Sequence, residues 1–299
     1  MTEQDISLVE RYAIECKAGC SYRNLLDAGS SAAWLQKLRF FCQRLNSAAL
    51  RGVIFDYDGT LVKSGEANDG MRSELIQHML RLLDAGIPIG IATGRGPSVR
   101  HQMRKYIPSR LYSRVLIGYY SGDQVGDLTQ TDCPDQDGSV CEELRPLLPE
   151  LDHLRLIAQI TLRRRQIIVE PRSGMNVSDL WQQTSVLLER NSPPNIRTVR
   201  SCRSVDILAP GVSKAGMLGY MRKTYRFLGP ILCVGDQGSK TGNDYELLST
   251  PYSLSVDQVS NDPETCWNLG PVGLDGVERT LYYLNRLTVG GPGILQINL

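Results

Sequence analysis

Val53-Ile54-Phe55-Asp56-Tyr57-Asp58-Gly59-Thr60-Leu61 is the stretch on which the reading of this chain turns. A short apolar run that stops abruptly at polar residues reads as a strand buried on both faces. Such a strand fixes the Asp56 carboxylate at its end, and the Asp58-Gly59 turn brings a second carboxylate back toward the same pocket. A held carboxylate can attack phosphorus and divide one hard displacement into two easier ones. A carboxyl group beside it can protonate a leaving alcohol and then deprotonate water. The plain alternative is a strand followed by an Asp-Gly turn.

Working outward, Ile87 to Ala92, Val115 to Tyr119 and Ile231 to Val234 repeat the pattern of apolar runs ending in polar residues. Met71 to Ala85 and Ser98 to Tyr106 read as crossover helices between the first of them. The alternating order predicts an α/β fold with a doubly wound, Rossmann-like parallel sheet. Ligands in such sheets sit at the carboxyl ends of the strands, where Asp56, Thr93 and Asp236 fall. Between residues 122 and 204 the pattern changes. Gln159 to Glu170 and Asn195 to Asp206 read as antiparallel hairpins around a helix from Val177 to Leu188, so an inserted α+β domain is expected there. The core domain is then 51–121 with 205–299. Residues 1–50 form a helical N-terminal extension, because Trp34, Leu38, Phe41 and Leu45 recur at helical spacing. That stripe packs on a neighbouring element or seams a homodimer.

Three further segments join the first. Ala92-Thr93-Gly94-Arg95 ends a strand before a helix, and a Thr hydroxyl with the Gly94 N–H can hold phosphoryl oxygens. Gly211-Val212-Ser213-Lys214-Ala215-Gly216 opens a helix, and Cys233-Val234-Gly235-Asp236 is followed by Asn243-Asp244. In this order the four segments resemble the four motifs of the haloacid dehalogenase (HAD) superfamily of phosphatases, the first of them DxDGT. The long gap between the second and third resembles the members with an α+β cap, such as the Cof-type, sucrose-phosphate and trehalose-phosphate phosphatases.

The resemblance implies Asp56 as nucleophile, Asp58 as general acid and base, and Thr93, Gly94, Arg95 and Lys214 around the phosphate. It also implies Mg2+ held by Asp56, Asp58, Asp236 and Asp244, with Asp58 giving its backbone carbonyl. Arg95 either meets substrate or braces the loop. The chain departs from the Cof pattern in the fourth motif, where Gln237 to Gly242 stand between the acids, four residues more than usual. Asn243 is the weaker candidate beside Asp244. A small phosphorylated metabolite is the substrate class implied, and an acceptor other than water is an alternative.

With 33 Lys+Arg against 32 Asp+Glu, the chain as a whole is no electrostatic glove for nucleic acid or membrane. The start lacks a basic segment followed by an apolar run, and no apolar stretch is long enough to span a bilayer. A cytoplasmic protein is expected. Eight scattered cysteines and three histidines suggest neither a disulfide framework nor a zinc site. Local charge keeps one rival open. From Arg155 to Arg203 there are nine arginines against three acids, so the cap could receive a nucleic-acid end or a polyphosphorylated nucleotide. Asp123, Asp127, Asp132, Asp135 and Asp137 crowd the preceding segment and would offset that charge. A second rival is a catalytically silent fold used as a binding module, against which the intact acids and Lys214 argue.

Overall fold

The computed structural model describes residues 6–63, 70–132, 139–189, 193, 195–226, 229–274 and 276–299. Asp135, Asp137 and Arg190 lie outside them. Helices α1 (Leu8–Ala18), α2 (Tyr22–Asp27) and α3 (Ser31–Asn46) open the chain. A capping box between Ser7 and Glu10 starts α1, and a left-handed Gly19 ends it. The stripe of α3 is buried at Leu38, Phe41 and Leu45, joined by Leu35. Trp34 and Phe41 meet the ring of Trp267, and Lys17 of α1 donates to the carbonyls of Thr265 and Cys266. The face expected to seam a homodimer is thus occupied by the chain's own core.

The first part of the larger sheet follows as β1 (Gly52–Asp56), α4 (Ser73–Asp84), β2 (Ile89–Ala92), α5 (Ser98–Tyr106), β3 (Val115–Tyr119) and β4 (Gln124–Asp127). The insertion holds α6 (Leu148–Asp152), β5 (Ala158–Arg163), β6 (Gln166–Pro171), α7 (Val177–Glu189), β7 (Arg197–Arg200) and β8 (Val205–Leu208). The chain returns through α8 (Gly216–Tyr225), β9 (Ile231–Gln237), α9 (Tyr245–Leu248), β10 (Ser253–Gln258) and α10 (Gly276–Leu284). A hairpin of β11 (Leu287–Gly291) and β12 (Ile294–Ile297) closes it.

The larger sheet runs β10-β9-β1-β2-β3-β4. Its strands are parallel except β4, which turns back against β3. Alternate side chains feed opposite faces. Val53 and Phe55 join the cluster built with α3, α4 and α10, whereas Ile54 joins Met217 and Met221 of α8. A Cβ at Gly118 would lie 2.6 Å from Met217 Sδ, so glycine is what lets α8 lie so close to the sheet. The smaller sheet, β5-β6-β8-β7, is antiparallel throughout. One face covers its own core of Ile167, Val169, Leu180, Val205 and Ile207.

Both expected domain boundaries differ from the strand pairing by one strand. Gln124–Asp127 belongs to the large sheet although expected in the cap, because an antiparallel edge strand needs no apolar run. Val205–Leu208, expected in the core, is the third strand of the small sheet. It is buried on both faces like a core strand, between the cap's interior and the cavity below. Among the described residues, no helix is long and apolar enough to cross a membrane, and the seven described cysteines are free thiols.

Candidate active site

Asp56 is the last residue of β1, in register with Ala92 of β2. Phe55 beside it pairs with Val234 of β9. Three strand ends therefore bring Asp56, Thr93 and Asp236 to one edge of the sheet. Oδ1 of Asp56 accepts a 2.6 Å bond from Lys214 Nζ. Oδ2 is buried and has no partner among the described residues. The same ammonium donates at 2.7 Å to Oδ1 of Asp244. Burial works against the charge of Lys214, but Asp244 and then Asp56 outweigh it and raise its pKa above the ordinary lysine value.

Asp56, Asp236 and Asp244 are buried, and one carboxylate oxygen from each lies within 4.8 Å of the others. Burial pushes Asp56 and Asp236 upward, and mutual repulsion adds to it, from Asp244 on Asp56 and from Asp56 on Asp236. One ammonium cannot balance three such groups, so the donor set fits a divalent cation bound through oxygen. The lengthened segment explains how Asp244 arrives. Asp244 N donates to Gln237 O at 3.3 Å, and a Cβ at Gly242 would fall 2.0 Å from that same carbonyl. Only glycine permits so tight a return. Asp244 Oδ2 then accepts the N–H groups of Asp236 and Gln237, each at 3.1 Å. The outer edge of the loop meets the cap: Arg200 N donates to Thr241 O at 2.7 Å, and Asn243 N to Arg200 O at 3.0 Å. Arg197 and Glu246 form an ion pair alongside. Asn243 lines the cavity, with its Oδ1 buried and unpartnered.

Thr93 accepts the N–H of Arg95 on Oγ1 at 3.0 Å, and its hydroxyl proton has no acceptor among the described residues. Its backbone is clamped between Gly118 O and Ser121 N, both at 2.9 Å. Tyr120 and Ser121, at φ 50° and 59°, adopt a left-handed conformation that costs energy and keeps this turn in place. Arg95 braces rather than reaches outward. Its Nε donates to Asp58 Oδ2 at 2.8 Å, a second guanidinium nitrogen holds Oδ1, and the guanidinium lies over the Tyr57 ring. The Asp58 carboxylate is therefore outside the three-acid cluster, although it lines the same cavity.

That cavity, about 360 Å³, lies between the strand ends and the cap. Asp56, Asp58, Gly94, Lys214 and Asp236 form its floor; Gln166, Glu170, Arg203 and Asp206 face them from β6, β8 and the turn before β8. No motif announced these cap residues. The available signal was an Asp at position 206 inside an otherwise apolar strand. The cap arginines, on which the polyanion alternative depends, are mostly engaged elsewhere. Arg165 holds Asp123 and the carbonyl of Pro210, Arg155 holds Asp152, and Arg200 reaches Ser178. Among the described arginines of the cap, Arg203 alone lines the cavity.

No family model and no curated protein matches the chain. Solved structures do. An N-terminally truncated, IMP-bound IMP-nucleotidase from Plasmodium falciparum is similar at 14% identity and TM-score 0.54, over 76% of this chain and 68% of that one. The C-terminal domain of trehalose-6-phosphate phosphatase from C. albicans is similar at 13% identity and TM-score 0.55, over 82% and 93%. A subclass IIB sugar phosphatase of the HAD superfamily is similar at 15% identity and TM-score 0.52, over 72% and 90%. Likeness at such identities speaks for the fold, and the chain carries the haloacid dehalogenase fold, its four-stranded cap set over the carboxyl ends of the core strands.

Proposed function

We propose that the chain is a magnesium-dependent phosphomonoester hydrolase that acts through an aspartyl phosphate on a small phosphorylated metabolite. The observation that carries this is Asp56: one oxygen is held by Lys214, and the other is buried, unpartnered and at the cavity. Oδ2 forms the bond to phosphorus as the ester P–O bond breaks, and the leaving oxygen takes a proton from Asp58. Asp58 then removes a proton from water, which displaces phosphate from Asp56. Both Asp58 oxygens lie on Arg95, so one must leave the guanidinium for each transfer. The Thr93 hydroxyl, the Gly94 N–H and Lys214 hold phosphoryl oxygens.

Asp56, Asp236 and Asp244, with the Asp58 carbonyl that the family resemblance adds, would hold Mg2+, which supplies the charge that offsets acids and phosphate. The proteins of like fold are named for IMP, trehalose 6-phosphate and sugar phosphate, which supports a small phosphoester. The arginines tied to cap residues leave little support for a nucleic-acid end. The free thiols accord with a cytoplasmic setting. Phosphate release across small phosphoesters, with Mg2+ and with excess chelator, tests the reading. Release that stops with chelator is expected; no release from any ester, or full release in chelator, overturns it.

A further inference from the structure

Two buried groups in the roof of the cavity lack the partners that their chemistry requires. Asp206 on β8 is 3% exposed. Its Oδ1 accepts a 2.8 Å bond from Ser204 Oγ and its Oδ2 a 3.0 Å bond from Gln166 Nε2. Both donors are neutral, and Asp206 makes no ion pair with any described residue. Lys214, the buried cation of the floor, pairs with Asp56 and Asp244 and acts on Asp206 only through space. A carboxylate taken out of water without a countercharge is costly, and such groups ordinarily meet a cation. Gln166 on β6 is fully buried, and its Nε2 serves Asp206 and, at 3.4 Å, Ser121 Oγ. Its Oε1 has no partner. Turning the amide over would set Oε1 against the Asp206 carboxylate, acceptor on acceptor, so the orientation is fixed by the network.

Asp206 and Gln166 line the cavity, and so does Glu170, half-buried on the same face of β6 as Gln166. The site abuts the Thr93–Arg95 loop, since a Cβ at Gly94 would lie 3.6 Å from Asp206 Oδ2 and 3.7 Å from Gln166 Nε2. The unmet needs are therefore a positive charge and hydrogen-bond donors, close to where the proposed reaction holds phosphate. A second phosphate or a carboxylate brings neither. A hydroxyl brings one donor and no charge; an ammonium brings three donors and the charge.

We propose that Asp206 and Gln166, with Glu170 beside them, form a subsite for a protonated amine on the leaving group, so that the substrate is the phosphate monoester of an amino alcohol. The ester part of this statement rests on the hydrolase reading; the cation subsite does not. Three two-carbon esters separate the chemistries: ethanolamine phosphate, ethylene glycol monophosphate and phosphoglycolate, which end in an ammonium, a hydroxyl and a carboxylate.

The amine ester should exceed the hydroxyl ester in kcat/KM by about tenfold or more, the scale of one charge-assisted hydrogen bond, with the carboxylate ester last. In Asp206→Asn the amine-to-hydroxyl ratio should fall toward one, and in Gln166→Met it should fall less. Equal rates for amine and hydroxyl in the parent protein, or a ratio unmoved by both changes, overturn the subsite. Should Asp206→Asn fail to fold, Gln166→Met carries the comparison. If no ester is cleaved, the hydrolase reading fails alone, and calorimetric titration of ethanolamine phosphate and ethylene glycol monophosphate into the protein tests the subsite. Tighter binding of the amine, weakened in either variant, supports it; equal binding of the two overturns it.

Discussion

The floor and the roof of the cavity are finished to different degrees. In the floor most acids are answered from within the chain. Lys214 bridges Asp56 and Asp244, two backbone amides hold the other oxygen of Asp244, and Arg95 forks onto Asp58. Among the described residues, the buried side-chain oxygens left over there are Oδ2 of Asp56 and Oδ1 of Asn243. In the roof Asp206 is buried without an ion pair, and the Gln166 amide oxygen without a donor, among the described residues. Groups held before the ligand arrives suit bond making and breaking, whereas unmet groups gain their partners only from a bound ligand and suit recognition. The proposed reaction thus places chemistry in strands β1, β2 and β9, and the proposed subsite places selection in β6 and β8.

The sharpest way to break that division is at Asp56. Asp56→Asn should lower kcat on the order of a thousandfold or more, because nucleophile and acid act as a unit. Turnover near that of the parent protein would remove Asp56 from the chemistry and with it the distinction between the walls. Next in size, Asp58→Asn should slow alkyl phosphates roughly a hundredfold or more and activated aryl phosphates far less, since good leaving groups need little protonation. Equal losses on both would place Asp58 among the supports rather than the reactants.

A smaller effect sharpens the roof. Burial pushes Asp206 up to about 6 from an ordinary 3.8, against the pull of Ser204. The folded state therefore keeps a proton that the unfolded chain releases, so the contribution of Asp206 to stability is most favourable below pH 4 and declines as pH rises toward about 6. Asp206→Asn lacks this penalty. Its melting temperature relative to the parent protein should climb between about pH 4 and 6 and then level off. A difference that stays flat across that window would mean that Asp206 has a countercharge in solution. The smallest effect concerns the seam between the walls. Arg197 and Glu246 are partly exposed, so Arg197→Gln should cost under about 1 kcal/mol in denaturant unfolding. A several-fold drop in kcat/KM, restored by the paired exchange Arg197→Glu with Glu246→Arg, would show that the cap and the loop carrying Asp244 are positioned together. No drop would leave the ion pair a surface contact.

Much of the floor was legible because its residues stand where local pattern alone specifies place. A strand end followed by Asp-Gly locates Asp56 and Asp58, and the same reasoning locates Thr93 and Asp236. The extra residues before Asp244 were visible as a count, but not as a turn closed by Gly242 against Gln237 and tied to Arg200. The roof was not legible. Gln166, Glu170 and Asp206 are ordinary residues of short strands, and the arginines that dominate the cap's composition are drawn off by Asp123, Asp152 and Glu246.

By itself the sequence determined the alternating strands and helices, the inserted cap and the carboxylates at the strand ends, since each follows from neighbours a few positions away. Tertiary structure alone decided which sheet takes Val205–Leu208, that the stripe of α3 packs inward, and which cation meets which acid. Lys214 and Asp56 are 158 positions apart. Strand pairing and a buried charge's partner are settled by closeness in space, and no local period in a sequence encodes that.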